Sequence, residues 1–218
     1  MAIKSKDSFL RTLQCSTRFE EIARNEHGAT RIGGIDECAR GNWAAETCAS
    51  CVILPDSLPP ELAGKLRDSK LISPKKRTAL AGLIKQYAVA WNVATISAEI
   101  IDAVGIHNAA IMAMEFAVHG LSVVPDFLLI DSVRIDFDLP QLAINHGDAL
   151  SVSIAAASIL AKTHHTALIM EEYDRQFPQY GFVRHKGYGT REHIEAIRKH
   201  GLTPIHRRSF NPIKNFAS

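Results

Sequence analysis

Five short β-forming runs, three of them early and two interleaved with helical segments, restrict this chain to an α/β domain built on a mixed sheet. Arg31-Ile32-Gly33-Gly34-Ile35-Asp36 reads as the first strand. Thr47 to Leu54 is the second, with Pro55, Pro59 and Pro60 marking its exit. Ala88 to Ile96 carries β-branched and aromatic residues in partial alternation and is the third. Phe127 to Asp131 follows Pro125 as a short apolar run, the pattern of a buried strand, and Gln141 to Asn145 is a weaker fifth.

The helices are signalled by their ends. Ser73-Pro74 supplies an N-cap and a first-turn proline for a helix to about Gln86, and Ser97 caps a short helix ending near Gly105. From Asn108 to His119, the residues Ile111, Met114 and Val118 fall at core-facing spacing. Ser151 to about Tyr173 is the longest helix, with Ala155-Ala156-Ala157 allowing close backbone approach. Pro178 to Thr190 is a glycine-rich loop, Arg191 to His200 a helix closed by Gly201, and the remainder an irregular tail. Residues 1–30 read as a polar leader with a short helix around Thr17 to Glu26, ahead of one domain over 31–218.

With 218 residues, 46% of them apolar, the chain can bury one sizeable core. It contains no run of about 18 apolar residues, so neither a secretory signal nor a membrane span is expected, and the default location is the cytoplasm. Cys48 and Cys51 have zinc-ligand spacing, but they sit in a strand, where residues three apart face opposite ways. Buried free thiols are the better reading for these, with Cys15 and Cys38. From Ala161 onward there are ten Lys or Arg against five Asp or Glu, together with six of the ten histidines. That bias suits a polyanion backbone and equally suits a solvated helical surface. His164 and His165 are read as surface residues.

Four carboxylates stand apart from any run of charge: Asp36 at the end of the first strand with Glu37 next to it, Asp131 at the end of the fourth, and Asp148 just before the long helix. Ligands of open α/β sheets gather beyond the carboxyl ends of strands, so these groups can converge. Crowded carboxylates repel, and a hard divalent ion such as Mg²⁺ or Mn²⁺ removes that penalty. Two such ions roughly 3.5 to 4 Å apart can activate a water and stabilise the leaving oxygen of a phosphodiester. Taken singly, each acid also fits a bland role: a cap for Asp148, a turn residue for Asp36 and Asp131, an exposed charge for Glu37.

In order and spacing the segments resemble the ribonuclease HII family over about residues 31 to 213. The likeness rests on Gly34-Ile35-Asp36-Glu37 with Arg40-Gly41, Asp68-Ser69-Lys70-Leu71 leading to Lys75-Lys76-Arg77, Ile101-Asp102 to Gly105-Ile106, and Leu129-Ile130-Asp131. It continues through Gly147-Asp148, Ile154 to Lys162, His185-Lys186-Gly187-Tyr188-Gly189-Thr190 and His206-Arg207-Arg208-Ser209-Phe210.

The resemblance implies a ribonuclease H-like fold: a five-stranded mixed sheet flanked by helices, with a C-terminal helical and irregular extension, about 178–218, that contacts substrate. It implies a metal-dependent endonuclease that cuts the RNA strand of RNA-DNA hybrids, and cuts 5′ to ribonucleotides embedded in duplex DNA, leaving 3′-hydroxyl and 5′-phosphate ends. The expected role is removal of misincorporated ribonucleotides or primer remnants, with protein partners left open. Asp36, Glu37, Asp131 and Asp148 become the catalytic, metal-binding set, with Mg²⁺ or Mn²⁺ as two ions. Cys38, Ala39, Arg40 and Gly41 fall on the loop that reads the 2′-hydroxyl, the group that separates RNA from DNA. Tyr188 falls on the tyrosine that packs against the sugar, and Lys70 joins the substrate-binding set. The glycine-rich loop around Tyr188 can let backbone approach a duplex, which puts Lys186 and Arg184 near phosphates or, on the plainer reading, leaves them as solvated charges.

The chain also departs from the family pattern. Ala39 stands where the family has glycine, Asn42 to Thr47 replaces an apolar stretch with a Gly-Pro pair, and His165-Thr166 replaces an Arg-Asp pair. If the backbone at position 39 has φ > 0, alanine is strained there and junction reading is weakened while hydrolysis is retained. A hybrid-binding protein without catalysis, and a nuclease of the same fold acting on another nucleic acid such as branched DNA, are the alternatives.

Overall fold

The computed structural model describes residues 13–216; residues 1–12 of the expected leader lie outside the described residues. Its five strands are β1 (Ile32–Cys38), β2 (Thr47–Ile53), β3 (Ala90–Ile96), β4 (Phe127–Asp131) and β5 (Gln141–Ile144). They lie in the order β3-β2-β1-β4-β5. β1 pairs antiparallel with β2, and β2 with β3, whereas β1–β4 and β4–β5 are parallel, giving the expected mixed sheet.

Among the described residues the α-helices are α1 (Arg18–His27), α2 (Pro74–Tyr87), α3 (Ala98–Val104), α4 (Ile106–His119), α5 (Gly147–Leu150), α6 (Val152–Thr163), α7 (Met170–Gln176), α8 (Phe182–His185) and α9 (Arg191–His200). No helix among the described residues is long and apolar enough to cross a membrane.

β1 lies in the centre of the sheet with both faces covered. Ile35 packs with Ala109, Ala113 and Met114 of α4 on one side. Gly34 faces the other, where a Cβ would lie 2.2 Å from the Ser153 carbonyl carbon of α6. Only glycine lets strand and helix approach this closely. Ala155, Ala156 and Ala157 are all fully buried and continue the small-residue contact. The start of α6 is held by Glu20 of α1, whose Oε1 accepts from Ser151 Oγ at 2.6 Å and from Ser153 N–H at 2.9 Å.

Two expectations are corrected. The helix expected from Ser151 to Tyr173 is interrupted: α6 ends at Thr163, a π-helical stretch spans His164–Ile169, and α7 follows. His165, expected at the surface, is buried in that stretch with its Nε2 3.2 Å from Asn42 Nδ2. Burial, with Lys162 and Arg207 adding repulsion, pushes its pKa down to about 3, so the ring enters the interior as a neutral polar group. Cys38, Cys48 and Cys51 are buried as expected, whereas Cys15 is half-buried. All four are free, Cys48 faces α6 by donating to Ala161 O at 3.5 Å, and Cys51 packs on the α4 side.

Candidate active site

Strand register assembles the acids. Ile35 of β1 lies opposite Ile130 of the parallel strand β4, so the next residues, Asp36 and Asp131, stand side by side about 4.8 Å apart on one face. Glu37 starts on the other face, yet its longer side chain brings an oxygen into the group. Ligand oxygens of Asp36, Glu37 and Asp131 all lie within 4.8 Å of one another. The donor set is entirely carboxylate, which suits a hard divalent cation.

Asp148 is placed differently. It is buried within α5, outside that three-group cluster, and its Oδ2 lies 3.2 Å from Lys70 Nζ. Its charge is nevertheless felt at Asp36. The α5 turn is tied to the end of β4 by Gly147 N–H, which donates to Asp131 Oδ1 at 2.7 Å.

The electrostatics follow from crowding. Burial, then repulsion from Glu37, Asp131 and Asp148, raises the Asp36 pKa well above the ordinary carboxylate range. A hydrogen bond from Ser158 opposes the shift. Asp131 is raised by burial and by Glu37, against the Gly147 hydrogen bond. At Lys70 burial disfavours the ammonium, but Asp148 and Asp68 outweigh it and hold the pKa above its usual value.

A cavity of about 230 Å³ opens on these groups, lined also by Cys38, Ala39, Arg40, Gly41, Lys70 and Tyr188. Arg40 Nη1 is 3.2 Å from Glu37 Oε1. The fully buried Arg207 braces this loop, donating from Nη1 to Arg40 O at 3.1 Å and from Nε to Ala45 O at 2.9 Å. Ala39 has φ 71°, the left-handed backbone that favours glycine. Cys38 is paired with Cys48 across β1–β2, and its interaction with that thiol lowers its pKa to about 7 against burial, with help from Lys162.

Tyr188 closes the opposite side. Its Cε1 is 3.7 Å from where a Cβ on Gly41 would stand, and Lys162 Nζ lies 5.9 Å from its ring centroid. Lys186 contributes its backbone carbonyl to Asn42, while burial together with Arg77 and Lys162 lowers its side-chain pKa. Arg184 is not gathered in. It is paired with Glu192 and does not line the cavity.

Three cavity-lining residues, Ser69, Ser158 and Lys162, are absent from the sequence-based set. Ser158 and Lys162 are four apart on α6, so they share a face, and that spacing of polar groups in an otherwise apolar helix is the available signal. Ser69, the neighbour of Lys70, lies 2.8 Å from Ser158 through their hydroxyls.

With this geometry in view, residues 33–213 match the family model described as Ribonuclease HII. Ribonuclease HII of Geobacillus kaustophilus (strain HTA426) is 47% identical over 203 residues, covering 90% of this chain and 76% of its own length. That of Koribacter versatilis (strain Ellin345) is 43% identical over 212 residues, covering 97% and 82%. Among solved structures, ribonuclease H2 from Pyrococcus horikoshii OT3 superposes with a TM-score of 0.74 at 19% identity, covering 86% of this chain and 97% of the other. That likeness carries the ribonuclease H-like fold.

Proposed function

The chain belongs to the ribonuclease HII family, and from that premise we propose how its own residues carry out the reaction. It is a metal-dependent ribonuclease H endonuclease acting on nucleic acid. Our reading of its target is the RNA strand of RNA-DNA hybrids and the phosphodiester 5′ to a ribonucleotide embedded in duplex DNA, with 3′-hydroxyl and 5′-phosphate products. The observation that carries the reading is the convergence of Asp36, Glu37 and Asp131 oxygens within 4.8 Å, in a cavity shared with Arg40 and Tyr188.

Asp36, Glu37 and Asp131 would hold Mg²⁺ or Mn²⁺, two ions in our reading, with Asp148 completing the set. Bound there, the cations supply an activated water and charge stabilisation for the leaving oxygen. Gly147 N–H fixes one Asp131 oxygen and Ser158 steadies Asp36, so these carboxylates are held before substrate arrives. Arg40, on a loop whose carbonyls are gripped by Arg207, is aimed at the sugar-phosphate backbone and the 2′-hydroxyl. The Tyr188 ring, 40% exposed, offers an apolar face to the neighbouring sugar. Lys70 and Lys162 supply positive charge to phosphates.

The test is cleavage of a duplex DNA carrying one ribonucleotide, with both ends mapped. Cutting 5′ to the ribonucleotide that requires Mg²⁺ or Mn²⁺ and is abolished by Asp36→Asn supports the reading. A protein that binds the duplex without metal-dependent scission is a binding module instead. Preferential cutting of branched DNA would move the target elsewhere.

A further inference from the structure

The Tyr188 main chain is held from behind by buried imidazoles whose hydrogen bonds run in one direction. His206 Nδ1 lies 2.9 Å from Thr203 N–H, which can only donate, and 2.8 Å from Thr203 Oγ1, whose hydroxyl then donates as well, so that nitrogen carries a lone pair and the His206 proton is on Nε2. His206 Nε2 is 3.0 Å from His193 Nε2, which must therefore accept. The His193 proton is then on Nδ1, 3.0 Å from the Tyr188 carbonyl oxygen. Both rings are buried, at 0% and 1% exposure, so no solvent substitutes for a missing partner.

Two further contacts make Tyr188 sensitive to this chain. Its carbonyl also accepts from Thr190 N–H at 2.9 Å, while Thr190 Oγ1 accepts from His193 N–H at 3.2 Å and so caps α9. Around it, Trp43 N–H donates to Gly187 O at 2.7 Å, and a Cβ on Gly189 would lie 2.0 Å from the Trp43 ring. The loop is thus clamped on both sides of residue 188. Burial, aided by His185 stacked at 4.4 Å, pushes His193 down to about 4. Burial, then His193, with a smaller contribution from Arg208, pushes His206 to about 3, so both rings are neutral near pH 7.

We propose that His193 and His206 are positioning residues for substrate recognition: they set where the Tyr188 ring stands through a one-way donor chain, Thr203 N–H to His206 to His193 to the Tyr188 carbonyl. This rests on the reading of Tyr188 as a contact to the sugar. It adds two residues that do not themselves line the cavity to the determinants of substrate affinity.

The direction of the chain is testable without activity. Long-range ¹H–¹⁵N spectra of the whole protein near pH 7 are expected to show His193 protonated on Nδ1 and His206 on Nε2; the opposite tautomer at either ring, or a cationic ring, overturns the proposal. The role is read by kinetics on the embedded-ribonucleotide duplex. His193→Leu fills the space without donating and is expected to raise KM about five- to tenfold with kcat little changed. His193→Asn places an amide N–H near the Nδ1 position and restores most of that loss.

In a Tyr188→Ala background His193→Leu is expected to add nothing. A folded His193→Leu enzyme with unchanged KM, or an effect undiminished without the tyrosine, overturns the positioning role. If His193→Leu does not fold, His206→Asn, which keeps an acceptor for Thr203 N–H and loses the donor toward His193, carries the same comparison. Wild-type KM in Tyr188→Ala alone removes the sugar-contact reading and the positioning role with it, while the tautomers are judged separately by the spectra.

Discussion

Lys70 Nζ stands 3.2 Å from Asp148 Oδ2 and 4.0 Å from Asp68 Oδ1, a cation set between two carboxylates that are themselves buried. Its own side chain is 70% exposed, so water can replace the ammonium if it is removed. Lys70→Met is therefore expected to cost no more than about 1 kcal/mol of stability, the scale of an ion pair with a solvated partner. The same change removes a charge from the cavity, and kcat/KM for an embedded ribonucleotide is expected to fall about tenfold, the worth of one charge-assisted contact. Thermal unfolding and steady-state cleavage measured on one preparation separate the two. A large drop in Tm with activity preserved would make Lys70 a structural residue.

Ala39 holds φ 71° in the loop beside the carboxylates. A left-handed alanine costs about 1 to 2 kcal/mol, while glycine costs about 0.4 to 1 kcal/mol through its freer unfolded chain. Ala39→Gly is therefore expected to raise stability by about 0.5 to 1 kcal/mol. It also removes the methyl from the loop proposed to read the 2′-hydroxyl. Cleavage at a single embedded ribonucleotide should improve relative to cleavage of a continuous hybrid. Equal improvement on both substrates would mean the alanine affects the catalytic groups rather than recognition.

The strands and the pairing of Asp36 with Asp131 are legible in the sequence because each acid terminates a distinct apolar or glycine-containing run. The left-handed positions are not. Ser132, His146 and Lys186 have positive φ beside or within the predicted set, as does Ala39, and none is glycine. Their conformations are imposed by tertiary contacts such as the Gly147 hydrogen bond to Asp131, which local propensity does not encode. The burial of His165 is hidden for a related reason. Its helix continues through a π-helical stretch, and its partner Asn42 is 123 positions away in sequence. Arg184 owes its expected substrate contact to its place in the glycine-rich loop, yet it is paired with Glu192 on α9.

Gly34 tests whether close strand–helix contact sets up the acids. A Cβ there meets backbone atoms of Ser153, and backbone cannot swing aside as a side-chain tip can. Gly34→Ala must push β1, which carries Asp36 and Glu37, away from α6, at an expected cost of about 3 kcal/mol or more. Gly82, inside α2 with nothing within 4 Å of where an added methyl would stand, is the control; Gly82→Ala should stabilise by about 0.5 to 1 kcal/mol. Denaturant unfolding of both variants decides it, and comparable small effects would show that the contact yields.

The carboxylate cluster links metal binding to pH. Asp36 and Asp131 hold their protons more tightly in the metal-free fold than in the unfolded chain, where an aspartate titrates near about 3.9. The stability tied to that protonation is complete below about pH 4 and is lost as pH rises through the raised folded-state values. Metal-free protein should therefore lose stability from these two groups on going from acid toward neutral pH. A divalent cation replaces the protons, and saturation at about 100 times Kd adds about 2.7 kcal/mol. The rise in Tm on adding Mg²⁺ or Mn²⁺ is thus expected to be larger at pH 8 than at pH 5. Asp36→Asn should raise the metal-free Tm at pH 8 by relieving repulsion, and should remove most of the metal-induced increment. An increment that is independent of pH, or that survives in Asp36→Asn, would place the stabilising cation outside the Asp36, Glu37 and Asp131 cluster.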